Sequence, residues 1–140
     1  MRIDNRGNSG EATKVRVLVI EDDPEISAVI ELAFQIYLPE AEVSIANLGR
    51  EGIDAAIEYS PDLCITDLNL PDMHGLDVIQ ELHSISDMPI IVASCNNDQE
   101  TISQAIEMGA DAYFKKPFSP IELLNKASNL INRRSPVLSR

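Results

Sequence analysis

Short apolar runs alternate along this chain with longer stretches whose apolar residues recur every three or four positions. Val15 to Ile20, VRVLVI, has a β-branched apolar run and no helical period, which predicts a buried strand. AEVSIAN, LCITD, MPIIVAS and the short AYFKKP read as four further strands. Between the first two, Ile26, Val29, Ile30, Ala33 and Phe34 fall on one face of a helix, with Asp23 before Pro24 supplying a cap and a first-turn proline. A second helix, LGREGIDAAIEYS, turns Ile53, Ala56 and Ile57 inward. A third, GLDVIQELHSI, does so with Leu76, Ile79 and Leu82, and a fourth, NDQETISQAIEMGA, with Ile102, Ala105 and Ile106. The last, SPIELLNKASNLINRR, opens on Ser119 and Pro120 and presents Ile121, Leu124, Ala127 and Ile131. Five strands alternating with five helices predict an α/β fold, a parallel sheet covered on both faces. Residues 1–13 and 135–140 match neither pattern and are expected to be tails, the latter a tail or the start of a linker.

A parallel sheet gathers the C-terminal ends of its strands on one edge, where ligands bind. The first strand delivers Glu21, Asp22 and Asp23 to that edge, and the third delivers Asp67. The fourth ends in Ser94, with Cys95 and Asn96 beyond it, and the fifth ends in Lys115, Lys116 and Pro117. Two ionised carboxylates about 4 Å apart repel by roughly 4 kcal/mol at an effective dielectric of 20. Such a cluster calls for a divalent cation or a positive side chain, and hard oxygen ligands with room for water suit magnesium.

Composition narrows the function further. A chain of 140 residues, 44% hydrophobic and 24% charged, fits one soluble domain. Its net charge of −12, with Arg50 the only Lys or Arg between Val17 and Phe114, argues against direct nucleic-acid binding. With no apolar run long enough to span a bilayer and no signal peptide, a cytoplasmic location without membrane contact is expected. Cys64 and Cys95 lack any metal-ligand spacing, so Cys64 reads as a small core residue. His74 and His83 have no partner motif and are expected to be exposed and incidental.

VLVIEDD, DLNLPDMHG, VAS and FKKPF, in that order on an alternating pattern, resemble the receiver domain of two-component response regulators over about residues 14–134. The resemblance implies a flavodoxin-like, doubly wound (βα)5 fold with strand order 2-1-3-4-5. It implies that Asp67 accepts a phosphoryl group from a sensor histidine kinase or phosphotransfer protein. Glu21, Asp22, Asp67 and the backbone carbonyl of Asn69 would hold magnesium, with Glu21 acting mostly through water. Lys116 would pair with the phosphoryl group, and family members often carry a cis bond before the following proline. Ser94 and Tyr113 would form a hydroxyl and aromatic switch that reaches the face made by the fourth helix, fifth strand and last helix. A downstream protein or output domain would read that face, and a phosphorylation-dependent homodimer is compatible with it. Such a module is not an enzyme beyond catalysing its own phosphorylation and dephosphorylation.

The chain departs from the family pattern in three places: Glu21 stands for the commoner Asp, Ser94 for Thr, and Cys95 for Ala or Gly. A pseudo-receiver that binds partners without phosphorylation is the alternative, against which the full set of Glu21, Asp22, Asp67, Ser94 and Lys116 speaks. A flavodoxin-like electron carrier would want a neutral phosphate loop where Glu-Asp-Asp-Pro stands. A haloacid-dehalogenase-type phosphohydrolase would want D-x-D where Asp67 is followed by Leu68 and Asn69. A single-domain regulator and the receiver of a longer protein are both open readings.

Overall fold

The apolar runs of the sequence become the strands of one sheet. In the computed structural model, which describes residues 14–134, these are β1 (Val15–Ile20), β2 (Ala41–Ala46), β3 (Leu63–Thr66), β4 (Ile90–Ser94) and β5 (Ala112–Lys115). The helices between and after them are α1 (Pro24–Tyr37), α2 (Gly49–Tyr59), α3 (Gly75–Ile85), α4 (Gln99–Glu107) and α5 (Pro120–Arg134). All neighbouring strands are parallel and their order is β2-β1-β3-β4-β5, the flavodoxin-like doubly wound arrangement expected. The expected tails, residues 1–13 and 135–140, lie outside the described residues.

Alternation along β1 divides the core. Val15, Val17 and Val19 face Phe34 of α1 and Leu123, Ala127 and Ile131 of α5. Leu18 and Ile20 face Ile53 of α2, Ile79 and Leu82 of α3, and Ala105 of α4. Both faces of β3 are fully buried, which is why its apolar run does not alternate. Cys64 sits there as a packing residue, and burial pushes its thiol up from the ordinary cysteine range.

The helix faces are narrower than the apolar stripes suggested. Val29, Ile57, Ile106 and Ile121, all expected inside, are 46%, 61%, 45% and 51% exposed. The first three each adjoin a buried neighbour in sequence, Ile30, Ala56 or Ala105, and one residue turns a helix by about 100°. Each helix rests on the sheet along a single line, so the flanking apolar position stays in water.

The N-terminal edge of the sheet is fastened by two matching clamps. Asp62 receives the Arg16 N–H on its carboxylate at 2.8 Å and donates its own N–H to the Arg16 carbonyl at 2.7 Å. Asp111 does the same to Ile90, at 2.9 and 2.7 Å. At the opposite edge Gly75 starts α3 tightly against the end of β3, its N–H donating to the Leu68 carbonyl at 2.9 Å. A Cβ at Gly75 would lie 2.2 Å from Leu68 Cα and 2.8 Å from its carbonyl oxygen, both backbone atoms that cannot step aside. Gly75→Ala is therefore expected to lower stability by about 1–3 kcal/mol, as overpacking does. A urea melt checks this: an unchanged midpoint would mean that α3 can lift off β3 freely.

Candidate functional site

Three strand ends and one loop meet at the C-terminal edge. The Glu21 N–H donates to the Ala46 carbonyl and the Asp67 N–H to the Ile20 carbonyl, so the hydrogen-bond ladder carries both residues one step past their strands. Their side chains thereby turn into the cleft between β1 and β3, where the strand order reverses. The Asn47 side-chain amide donates to the Glu21 carbonyl at 3.1 Å and fixes the backbone just before Asp22. Asp23 turns away and caps α1, accepting the Glu25 N–H at 2.9 Å.

Glu21, Asp22 and Asp67 each bring a carboxylate oxygen within 4.8 Å of the others. Glu21 and Asp67 are 2% and 6% exposed, whereas Asp22 opens to solvent. Lys116 reaches between the buried pair, its Nζ 2.7 Å from Glu21 Oε1 and 3.0 Å from Asp67 Oδ2. The second Asp67 oxygen accepts the N–H groups of Leu68 at 2.6 Å and Asn69 at 3.2 Å. The Lys116–Pro117 peptide is cis, and Lys115 points into solvent.

Three carboxylates against one ammonium leave the cluster two charges short of neutrality. Burial pushes the Glu21 carboxyl above its usual range, and the Lys116 hydrogen bond only partly opposes this. For Lys116 burial acts downward, but the two carboxylates outweigh it and hold the ammonium above the usual lysine range. The directions agree physically: one cation shared by two buried anions is itself well served and leaves each anion underserved. Hard oxygen donors, one of them exposed, with charge to spare and an open cleft beside them, fit a small divalent cation. That cleft, about 550 Å³, runs from Asp22 along Leu68 to His74.

Ser94 and Tyr113 occupy the neighbouring corner and meet on one residue. Ser94 is fully buried and its Oγ accepts the Asn96 N–H at 3.2 Å, while the Tyr113 hydroxyl donates to the Asn96 carbonyl at 2.6 Å. Burial pushes the Tyr113 hydroxyl up from its ordinary range, and the nearby Asp67 adds to this, although contact with Ser94 acts the other way. Cys95 is exposed on the rim. The structure thus gathers Glu21, Asp22, Asp67 and Lys116 directly, sets Asn69 on the wall beside them, and holds Ser94 with Tyr113 one strand away.

The fold recurs in known proteins. The model of the response regulator receiver domain family matches residues 17–128. The chain belongs to that family. The receiver is 36% identical over 119 residues to the transcriptional regulatory protein KdpE of Mycobacterium tuberculosis, covering 85% of this chain and 52% of that protein. It is 35% identical over 125 residues to the cell cycle transcriptional regulator CtrA of Caulobacter vibrioides, covering 85% of this chain and 51% of that one. It therefore spans about half the length of the curated relatives it matches. Among solved structures, a CheY-like receiver domain protein from Methanospirillum hungatei superposes with a TM-score of 0.83 at 26% identity, covering 89% of this chain and 98% of that one. As a receiver the chain is a signalling module of two-component systems rather than an enzyme with an external substrate. Among the described residues, no helix is long and apolar enough to cross a membrane.

Three residues here escaped the reading of the sequence. Asn47 and Asp72 act on backbone groups of other elements, Asp72 by accepting the N–H groups of Gly49 and Arg50 at 2.7 and 2.9 Å. His74 is exposed as expected but not incidental. Its Nδ1 accepts the Leu76 N–H at 3.1 Å and caps α3, and its backbone pairs with Asn69 across the loop. Its place directly before Gly75 and the helical pattern was the signal for a cap.

Proposed function

We propose that this receiver accepts a phosphoryl group on Asp67 from the phosphohistidine of a sensor histidine kinase or phosphotransfer protein, and that residues 14–134 are the unit that does so. The observation that carries this reading is the buried carboxylate pair sharing Lys116 beside an exposed Asp22. A carboxylate oxygen of Asp67 would bond to phosphorus as the phosphorus–nitrogen bond breaks. The electron pair leaves with the imidazole, which ends neutral because its other ring nitrogen already carries a proton. Glu21, Asp22, Asp67 and the Asn69 carbonyl would hold magnesium, which when bound offsets the charge on the phosphoryl oxygens. The N–H groups of Leu68 and Asn69 orient the Asp67 carboxylate, and the Lys116 ammonium, already at its other oxygen, pairs with the incoming phosphoryl oxygens.

Readout follows from Asn96. If the Ser94 hydroxyl turns toward the phosphoryl group, it gives up the Asn96 N–H, and of these two contacts on the loop ahead of α4 the one from Tyr113 remains. The charge on Asp67 is thereby converted into the conformation of the α4–β5–α5 face, which a downstream partner or output domain reads. The names of KdpE and CtrA describe transcriptional regulation, and we take control of transcription through such a partner or domain as the output.

The test is the purified chain with magnesium and acetyl phosphate, or beryllofluoride as the phosphoryl mimic, followed by mass and amide NMR. The expected result is a labile gain of one phosphoryl group, with shifts spreading from Asp67 to Tyr113 and α4. A chain that stays unmodified and shows no magnesium-dependent shifts would instead be a pseudo-receiver that works by binding alone.

A further inference from the structure

Helix α2 begins without a cap of its own. Its N-cap residue is Leu48, in extended conformation and unable to accept a hydrogen bond from its side chain. The first-turn N–H groups of Gly49 and Arg50 are taken instead by the two carboxylate oxygens of Asp72, at 2.7 and 2.9 Å, from 23 and 22 residues along the chain. These two donors hold the Asp72 carboxyl below the usual aspartate range.

Asp72 stands in the β3–α3 loop, which Asn69 and His74 close into a narrow hairpin. That hairpin is the wall of the cleft beside Asp22. One side of it is fixed by the Asn69 N–H on Asp67, and its base by the Gly75 N–H on Leu68. The Asp72 carboxylate is what fastens its tip to α2. Gly49 lets the two come close, since a Cβ there would lie 3.0 Å from Met73 Sδ and 3.1 Å from Met73 Cβ. The Arg50–Glu81 pair at 3.1 Å further ties α2 to α3 behind the hairpin.

We propose that Asp72 is a positioning residue for the carboxylate cleft: by capping α2 from the β3–α3 loop it fixes the wall that carries Asn69 and so raises the cleft's affinity for a divalent cation. This rests on the magnesium reading above. Asp72 bonds to none of the ligands and acts on Asn69 through the loop backbone; removing groups that orient a metal's ligands commonly changes metal affinity by about tenfold or more.

A plain loss of the cap would also weaken α2, so the test separates the two roles. Asp72→Ala removes both cap and tether. Adding Leu48→Ser returns a side-chain cap to α2 without returning the tether, and Leu48 belongs to neither core cluster. Magnesium is titrated against the Asp67 and Asn69 amide signals, with thermal melts of the same samples and amide exchange at Asn69. The single variant is expected to melt lower and bind magnesium about tenfold more weakly. In the double variant melting recovers, while magnesium binding stays weak and Asn69 exchanges faster than in the wild type. Recovery of magnesium affinity together with melting would reduce Asp72 to a helix cap and overturn the proposal, as would unchanged affinity in Asp72→Ala. A wild-type chain without magnesium-dependent shifts would instead bring down the magnesium reading, and this proposal with it.

Discussion

Asp67→Asn is expected to abolish phosphoryl uptake from acetyl phosphate and to raise the melting temperature of the magnesium-free protein. The first effect is chemical: an amide offers no anionic oxygen to attack phosphorus. The second follows from the crowding at the cleft. At an effective dielectric of 20, carboxylates within 4.8 Å of Asp67 repel it by about 3.5 kcal/mol each, and there are two, Glu21 and Asp22. The single attraction, to Lys116 at 3.0 Å, is about 5.5 kcal/mol on the same scale. Asparagine keeps an oxygen for the Leu68 and Asn69 N–H groups and leaves Lys116 to Glu21 alone. Because Asp22 is solvated, its repulsion is screened, and a net gain of about 1 kcal/mol is the expectation. Mass spectrometry after acetyl phosphate treatment reads the first effect and a thermal melt the second. A variant that still gains a phosphoryl group would move the acceptor elsewhere. One that melts lower would show that the lysine contact outweighs the repulsion.

Lys116→Met is expected to act in the opposite direction and more strongly. It leaves Glu21 and Asp67 buried, adjacent and without a cation. Removing one partner from a buried ion pair costs about 3–5 kcal/mol, because the remaining charge is stranded. The loss should depend on pH in a defined way. Glu21 is held above its ordinary 4.5, so its ionisation already lowers stability as pH rises past that value, and without Lys116 the fall becomes steeper. Lys116 is held above its ordinary 10.5, so its own contribution is complete below that pH and lost only as pH climbs through the raised value. Wild type and variant should therefore converge at acid pH, where Glu21 is protonated in both, and diverge near neutrality. Magnesium should narrow the gap, since a divalent ion supplies the missing charge. Urea melts at several pH values, with and without magnesium, measure this. A uniform offset at every pH would mean that the lysine contributes through its aliphatic packing and not its charge.

The strands and the residues at their ends could be read from the chain because both are local properties. VRVLVI and LCIT are buried on both faces, so apolar runs report them directly, and in a parallel sheet whatever follows such a run stands on the ligand edge. Glu21, Asp22, Asp67, Ser94 and Lys116 were legible for that reason. Residues that act across the chain were not. Asp72 caps a helix that began 23 residues earlier, and Asn47 holds a carbonyl 26 residues away, so no window of sequence contains both partners. Absence of a capping side chain at Leu48 was the one local hint, and it indicates that a partner is needed without naming it. The helix faces erred for a different reason. Val29 and Ile57 lie on apolar stripes wider than the line of contact with the sheet, and hydrophobic periodicity reports the stripe.

The paired clamps of Asp62 on Arg16 and Asp111 on Ile90 make the sheet mechanically one-ended. They hold register where β1 meets β3 and where β4 meets β5, against sliding of those strands past one another. A displacement born at the carboxylate cleft would meet a fixed register at that end and be taken up in the loops and helices at the open one. The scaffold would then serve as an anvil for a change that moves loops and helices and leaves the strand pairing as it is.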